Sequence, residues 1–325
     1  MMPSGEMRYR PLGRCGTKVG IFGLGGWTTF GESVTDESSI RSILHYAFDS
    51  GVNFFDIADV YATGESERAM GSVLRDFPRH ELVISSKVFF PMSEAVNDQS
   101  LSRKHIFESI HKSLRRIGTD YLDIYFCHRF DRNTPIVETA RAMDDLVHQG
   151  KVLYWGTSDW NGAQLRELQS VCDRRNLYFP QVEQPRFNLL SRAKLENDVR
   201  LVAGEFGMGM VTFSPLAYGI LSGKYDAGLP QGTRLARIDW MRGKYYSETV
   251  LERVRKMKAL ADELGCTRAQ LTLAWTAAQA GLSSVITGAT TLEQCKENLG
   301  ALAFDIKDEM ERKLRTLFPA EDDNQ

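Results

Sequence analysis

Cysteine is scarce and scattered in this chain. Cys15, Cys127, Cys172, Cys266 and Cys295 are an odd number and contain no CxxC pair. That argues against a disulfide framework or a zinc site, and fits a reducing, cytoplasmic setting. The six histidines also lack metal spacing, with neither HxH nor HExxH, so no metal is expected. No sign of charge dominates: 40 Lys and Arg stand against 42 Asp and Glu, for a net charge of -2 and no long basic run. A nucleic-acid role therefore has no electrostatic support. No apolar run approaches the ~20 residues of a membrane span, so no membrane insertion is expected. The first residues, MMPSGEMRYRPLGR, have neither the apolar core nor the cleavage pattern of a signal peptide. Internal repeats and low-complexity segments are absent.

What is present is ordinary globular material, 42% apolar and 25% charged over 325 residues. The chain is expected to form one domain, 1–325, with a solvated tail at 319–325. Eight short runs read as strands: IFGLG (21–25), NFFDI (53–57), LVISSK (82–87), LDIYFCH (122–128), VLYWGTS (152–158), PQVEQ (180–184), GMVTFS (209–214) and SSVITG (283–288). Most are apolar throughout, as parallel strands covered on both faces should be. Helical periodicity fills the intervals. Thr35-Asp36 precedes ESSIRSILHYAFDSG, Ser102 precedes a helix that Gly118 ends, and Pro135 opens IVETARAMDDLVHQG. Further helices are expected at 66–76, 162–175, 193–206, 247–264, 267–280 and 292–302.

Eight strands alternating with helices is the (β/α)8, or TIM, barrel pattern. A doubly wound sheet would expect GxGxxG, but Gly23-Leu24-Gly25-Gly26-Trp27-Thr28 lacks the last glycine. Two segments exceed a minimal barrel. RYRPLGRCGTKVG predicts an N-terminal β-hairpin that plugs the barrel bottom. The stretch 217–246 after the seventh strand predicts a long functional loop.

Barrel chemistry sits at the C-terminal ends of the strands. Those ends carry Asp56, Lys87, His128, Ser158 with Asp159, Gln184 and Ser214. Read singly, each has a plain structural account. Asp56 is equally a turn residue, Lys87 a snorkelling rim lysine, His128 a structural histidine and Ser158-Asp159 a helix cap. Read together, polar groups close strand after strand on one rim. Tyr61 follows Asp56 by five residues. Its phenol has an ordinary pKa near ~10. An adjacent Lys87 ammonium is expected to lower that value, with Asp56 holding the ammonium charged and oriented. His128 is placed to hydrogen-bond a substrate oxygen or the phenol. This set can protonate a developing alkoxide, which reduction of a carbonyl requires. Ser158, Asp159 and Gln184 are residue types that hold a carboxamide. A barrel isomerase or aldolase using Lys87 as a Schiff base is the competing chemistry.

At this point the motifs DIADVY, ISSKV, CHRFD, YWGTSDW, VEQPRFN, FSPLAYGILSGKY and VITGATTLEQCKEN matter together. Over roughly Met7 to Ala303 they make the chain resemble the aldo-keto reductases. The last three are most similar to the branch of voltage-gated potassium channel β-subunits and their bacterial and plant relatives. The resemblance implies an NADP(H)-dependent reductase of small aldehydes or ketones, of alcohol dehydrogenase (NADP+) type. Tyr61 would be the general acid, tuned by Asp56, Lys87 and His128. Gly26, Trp27, Asp56, Ser158, Asp159 and Gln184 would border the nicotinamide, and Phe213 would stack on it. Ser214, Pro215, Leu216, Lys224 and Arg234 would hold the phosphates from a loop that clamps the cofactor. Gly288, Thr290, Gln294, Glu297 and Asn298 would hold the adenosine end.

Trp27, Tyr61, Phe90 and His128 would line the substrate pocket, with Phe89, Phe130, Trp160 and Tyr218 as further aromatic candidates. Relatives in that branch are often tetramers, so a homo-oligomer is an expected assembly. The alternative implied by the branch is a redox-sensing channel subunit with slow or vestigial reductase activity. Departures from the family pattern bear on both readings. Lys and Arg are missing around Gly288 and Gln294, and Asp159 stands where that branch often has Arg. His128 stands where channel subunits have Asn, and no long channel-blocking extension precedes the barrel.

Overall fold

A computed structural model describes residues 5–320 of the chain. The tail expected at 319–325 therefore lies largely outside the described residues. Two short antiparallel strands open the fold, β1 (Tyr9–Pro11) and β2 (Lys18–Gly20). Eight parallel strands follow: β3 (Phe22–Gly25), β4 (Phe54–Asp56), β5 (Val83–Val88), β6 (Leu122–Cys127), β7 (Val152–Ser158), β8 (Val182–Gln184), β9 (Gly209–Thr212) and β10 (Leu282–Thr287). They pair in chain order and close where β10 meets β3. This is the expected (β/α)8 barrel.

The helices are α1 (Glu37–Asp49), α2 (Glu65–Leu74), α3 (Arg103–Ile117), α4 (Ile136–His148), α5 (Gly162–Arg175), α6 (Arg200–Phe206), α7 (Arg234–Arg237), α8 (Asp239–Tyr245), α9 (Glu248–Leu264), α10 (Arg268–Ala278), α11 (Leu292–Leu299) and α12 (Asp308–Leu317). Their starts are written in the sequence. Asp36 accepts from the Ser39 amide, Ser102 from that of His105, and Asn161 with Gln164 closes a reciprocal capping box. Such caps contribute roughly 1 kcal/mol each. Gly118 ends α3 at φ 78, a conformation that favours glycine.

Two separate apolar groups result. The larger lies between barrel and helices. The smaller fills the barrel: Leu12, Val19, Phe54, Val83, Ile124, Phe126, Val182, Val211 and Ile286. Leu12 and Val19 come from the hairpin, and the Arg14 amide donates to Gly207 O at 3.0 Å. The hairpin therefore closes the barrel's N-terminal end, as expected. Side chains alternate along a strand, so every second residue after an interior one also points inward. Asp56 follows Phe54, Lys87 follows Val83 and Ser85, His128 follows Phe126, Gln184 follows Val182, and Phe213 follows Val211. Parity alone aims these residues at the inner rim.

The structure departs from the sequence reading in three places. The stretch 217–246 is not a bare loop: it holds a 3-10 segment, Ala217–Ser222, and both α7 and α8. The helix expected at 193–206 contains a wide π turn, Leu195–Val199, before α6 begins. α12 was not anticipated; it docks through Met310 and Leu314, with Phe318 behind them.

Candidate active site

The end of β4 delivers Asp56 beside Lys87 on β5. Lys87 Nζ donates to Asp56 Oδ2 at 2.7 Å, to Ile57 O at 2.6 Å and to the Tyr61 hydroxyl at 3.0 Å. Asp56 Oδ1 accepts from Ser85 Oγ at 2.7 Å and from Gln184 Nε2 at 2.9 Å. Both carboxylate oxygens and the ammonium are thus satisfied without water. His128 stands edge-on to Tyr61, with ring centroids 5.8 Å apart, and Phe90 stands edge-on to His128 at 5.0 Å.

Electrostatics set the protonation states. Burial works against the Lys87 charge, but Asp56 and then Tyr61 more than offset it, and its pKa lies above the ordinary value. A firmly charged lysine is a poor Schiff-base nucleophile, which counts against the imine-forming alternative. For Tyr61 the expected lowering is not the net result. Burial raises the phenol pKa; Lys87 pulls it down without cancelling that, and Asp56 adds to the rise. The phenol therefore carries its proton at neutral pH. Burial, then the Lys87 and Arg129 charges, holds the His128 pKa well below its ordinary value. The ring is neutral, and its Nδ1 has no partner among the described residues.

The neighbouring rim is equally ordered. Ser158 Oγ donates to Gln184 O at 3.0 Å. The Asp159 carboxylate turns to Lys194 at 3.1 Å and faces Arg129 at 3.9 Å. The half-buried Phe213 ring lies under two guanidinium groups, Arg186 at 5.5 Å and Arg129 at 6.0 Å. The Gly26 amide donates to Asp56 O at 2.9 Å. Past β9, Asn188 Nδ2 holds Ser214 O at 3.0 Å, ahead of the buried Pro215 and half-buried Leu216. Gly288 is exposed at the end of β10, and Asn298 Nδ2 donates to its carbonyl at 3.0 Å. Gln294 Oε1 accepts from both the amide and the hydroxyl of Thr290, and the Glu297 carbonyl accepts from Gln270. Since β9 and β10 are neighbours, these two groups share one side of the rim. Lys224 lies beside the Tyr225 ring, and Arg234 lies 5.8 Å from the Trp27 ring.

Backbone strain marks the same rim. Thr28, Ala62, Thr63, Asp159, Ser214, Ala217 and Tyr218 are non-glycine residues with φ between 46 and 62°. Each is an expected site residue or lies within two positions of one. Such conformations cost of order 1–3 kcal/mol each and persist where the surroundings over-determine them.

The sequence pattern of the Aldo/keto reductase family matches residues 22–317. The chain belongs to that family. Among its relatives, a probable voltage-gated potassium channel subunit beta of Arabidopsis thaliana is 43% identical over 301 residues, covering 91% of each chain. One from Oryza sativa subsp. japonica is 42% identical with the same coverage. The aldo/keto reductase fold thus brings Asp56, Tyr61, Lys87, His128 and Gln184 into one contact group. It does not place Trp160 in the pocket. That ring is 1% exposed and packs edge-on against Phe130 in the outer core.

Sequence reasoning missed several neighbours. Ser85 was findable, because it shares strand parity with Lys87. Arg129 and Arg186 stand inside the quoted motifs CHRFD and VEQPRFN. Trp240 carried no such signal. It reaches the mouth from α8, 5.7 Å from Tyr218 and 6.5 Å from Trp27.

Proposed function

We propose that this chain is an NADP(H)-dependent reductase of aldehydes and ketones in which Tyr61 is the proton donor. The observation that carries the reading is the continuous contact Asp56–Lys87–Tyr61, beside a neutral His128 with an unpartnered ring nitrogen. A bound nicotinamide would supply the hydride to the carbonyl carbon. The residues present fit such a group. Phe213 offers a ring face beneath the unpartnered Arg186 Nε, and Gly288 leaves open space at the adenosine end. Ser158, Gln184 and Asp159 would border the carboxamide. Ser214, Leu216, Lys224 and Arg234 would meet the phosphates, with the two basic side chains supporting the phosphorylated cofactor.

The chain's own chemistry follows from the charges. The Tyr61 hydroxyl releases its proton toward the alkoxide oxygen, and the Lys87 ammonium at 3.0 Å stabilises the phenolate left behind. Asp56 keeps the ammonium in place, while Ser85 and Gln184 keep Asp56 in place. Neutral His128 offers a donor to the carbonyl oxygen without competing as an acid. The mouth of Trp27, Phe90 and Trp240, backed by the buried Tyr218, suits apolar or aromatic carbonyls. The names of the plant relatives suggest a channel-associated subunit as the second reading, but an intact proton-donor group with histidine at 128 favours turnover.

Tyr61→Phe removes only the hydroxyl. NADPH-dependent reduction of a carbonyl panel should fall about 10²–10⁴-fold while NADPH still quenches protein fluorescence. Undiminished turnover in that variant refutes the proton-donor role. NADH run in parallel tests the cofactor preference.

A further inference from the structure

The segment that carries Tyr61 is strained, and what holds it lies on the outer side of the barrel wall. Ala62 and Thr63 have φ of 48 and 52°, and Gly64 follows at 91°. Just before the turn, Asp59 is fully buried. Its Oδ1 accepts from the Val60 amide at 2.7 Å and its Oδ2 from Ser109 Oγ on α3 at 2.7 Å. Just after it, Glu67 on α2 is also fully buried. Glu67 accepts from Ser86 Oγ at 2.6 Å and from Arg116 Nε at 2.5 Å. The Arg116 side chain lies against Gly64, where an added Cβ would sit 2.8 Å from its Cδ and Nε. Strand β5 therefore grips both sides. Ser85 and Lys87 point in to Asp56 and Tyr61, and Ser86 between them points out to Glu67.

We propose that Asp59 and Glu67 are positioning residues for the proton donor, clamping the Tyr61–Gly64 turn onto β5 and α3 so that the phenol meets Lys87. The inference rests on the reading of Tyr61 as the general acid. Neither carboxylate touches the reacting groups. Each ties an end of the turn to an element already fixed in the core through buried hydrogen bonds, and Glu67 adds an ion pair with Arg116.

The clamp is also sensitive to pH. Burial, then the Glu67 charge, lifts the Asp59 pKa to about 7, against the pull of Ser109, the Val60 amide and Arg116. The groups facing it are Glu67 on α2, Ser109 and Arg116 on α3, and the Tyr125 hydroxyl on β6. A site that raises this pKa favours the protonated acid, whose hydroxyl can donate to Ser109 Oγ while Oδ1 still accepts from the Val60 amide. The turn is therefore held more firmly below about pH 7 than above it, where a charge must be kept buried.

The test uses the full chain with NADPH and an aldehyde that it reduces. Single-turnover rates are measured across pH for Asp59→Asn, Glu67→Gln and Ser109→Ala. NADPH affinity is followed by fluorescence and folding by circular dichroism. Glu67→Gln and Ser109→Ala should each lose about 10- to 100-fold in rate, the scale of a small misplacement of a reacting group. Asp59→Asn, which resembles the protonated acid, should keep the low-pH rate throughout, with NADPH affinity unchanged in all three. The wild-type rate should fall through a step near pH 7 that is absent in Asp59→Asn. The Tyr61 ring NMR signal, assigned by its loss in Tyr61→Phe, should move across the same step in wild type and stay still in Asp59→Asn. A retained step in folded Asp59→Asn, or wild-type rates in both Glu67→Gln and Ser109→Ala, overturns the proposal. Should that variant not fold, Ser109→Ala, which removes a single hydroxyl, decides: an unchanged rate and step overturn it equally. An active Tyr61→Phe overturns the proton-donor reading instead. An inactive Tyr61→Phe beside unaffected clamp variants overturns only the clamp.

Discussion

Replacing Lys87 with methionine keeps most of the buried stem and deletes the charge, so it isolates what the ammonium does. Lys87 is fully buried and Asp56 is 3% exposed. Their charges approach to 2.7 Å. A unit pair at that separation is worth about 6 kcal/mol at an effective dielectric near 20, most of it offset by the desolvation of both ions. Removing one partner strands the other. The usual cost of breaking such a buried pair is about 3–5 kcal/mol. Asp56 keeps its bonds from Ser85 and Gln184, so the lower end is expected, about 3 kcal/mol. Adding Asp56→Asn to Lys87→Met removes the stranded charge. The double variant should therefore be more stable than Lys87→Met alone, by about 1 kcal/mol or more. Urea unfolding of all four proteins, with slopes compared, measures the cycle. The reasoning is refuted if Lys87→Met unfolds within about 1 kcal/mol of wild type, or if the second substitution adds its own full loss.

Two further expectations follow. Glu183 is buried, chiefly for that reason lifted to about 8, and bonded to Thr157 and the Trp160 amide. Its protonation stabilises the fold fully below the unfolded value near 4.5, and that contribution is lost as pH rises through about 8. Glu183→Gln should therefore gain on wild type by up to roughly 5 kcal/mol between pH 5 and 9, and a flat difference in denaturant midpoints would contradict this. His128 is held neutral, so the pH profile of carbonyl reduction should show no limb from it near the ordinary imidazole value. His128→Asn should slow reduction about 10- to 100-fold and leave NADPH binding intact; equal loss of both would assign His128 to the cofactor.

The contact group was legible because strand parity is rigid. Once NFFDI, LVISSK and LDIYFCH are parallel barrel strands, Asp56, Lys87 and His128 must share the inner rim. The net shift of the Tyr61 pKa was not legible. It depends on how completely other segments exclude water, and local neighbours reveal only the opposing pull of Lys87. Asp59 illustrates the same gap: nothing in DIADVY separates a loop aspartate from a core one, and its buried partner Ser109 stands fifty positions on. Trp160 failed the other way, because YWGTSDW placed it near the rim while packing on Phe130 turned it into the core. α7 and α8 lie in a stretch whose glycines and scattered charges obscure periodicity.

The barrel wall works as a two-sided device. Its inner face presents the Asp56–Lys87–Tyr61 group that we propose moves a proton. Its outer face carries buried carboxylates at two of the places where the rim backbone is most strained. Glu67 holds Ser86 and Arg116 behind the Ala62–Thr63 turn, and Glu183 holds Thr157 and the Trp160 amide on either side of Ser158-Asp159. The magnitudes are comparable: left-handed non-glycine residues cost of order 1–3 kcal/mol each, while hydrogen bonds return about 1.5–3 kcal/mol at the Arg116-paired Glu67 and about 0.5–1.5 kcal/mol each at the protonated Glu183. Strain at the rim can therefore be maintained locally, without drawing on the apolar core. A chain that kept the inner residues but lost the outer carboxylates would keep the barrel and bind cofactor, yet let the Tyr61 turn relax away from Lys87.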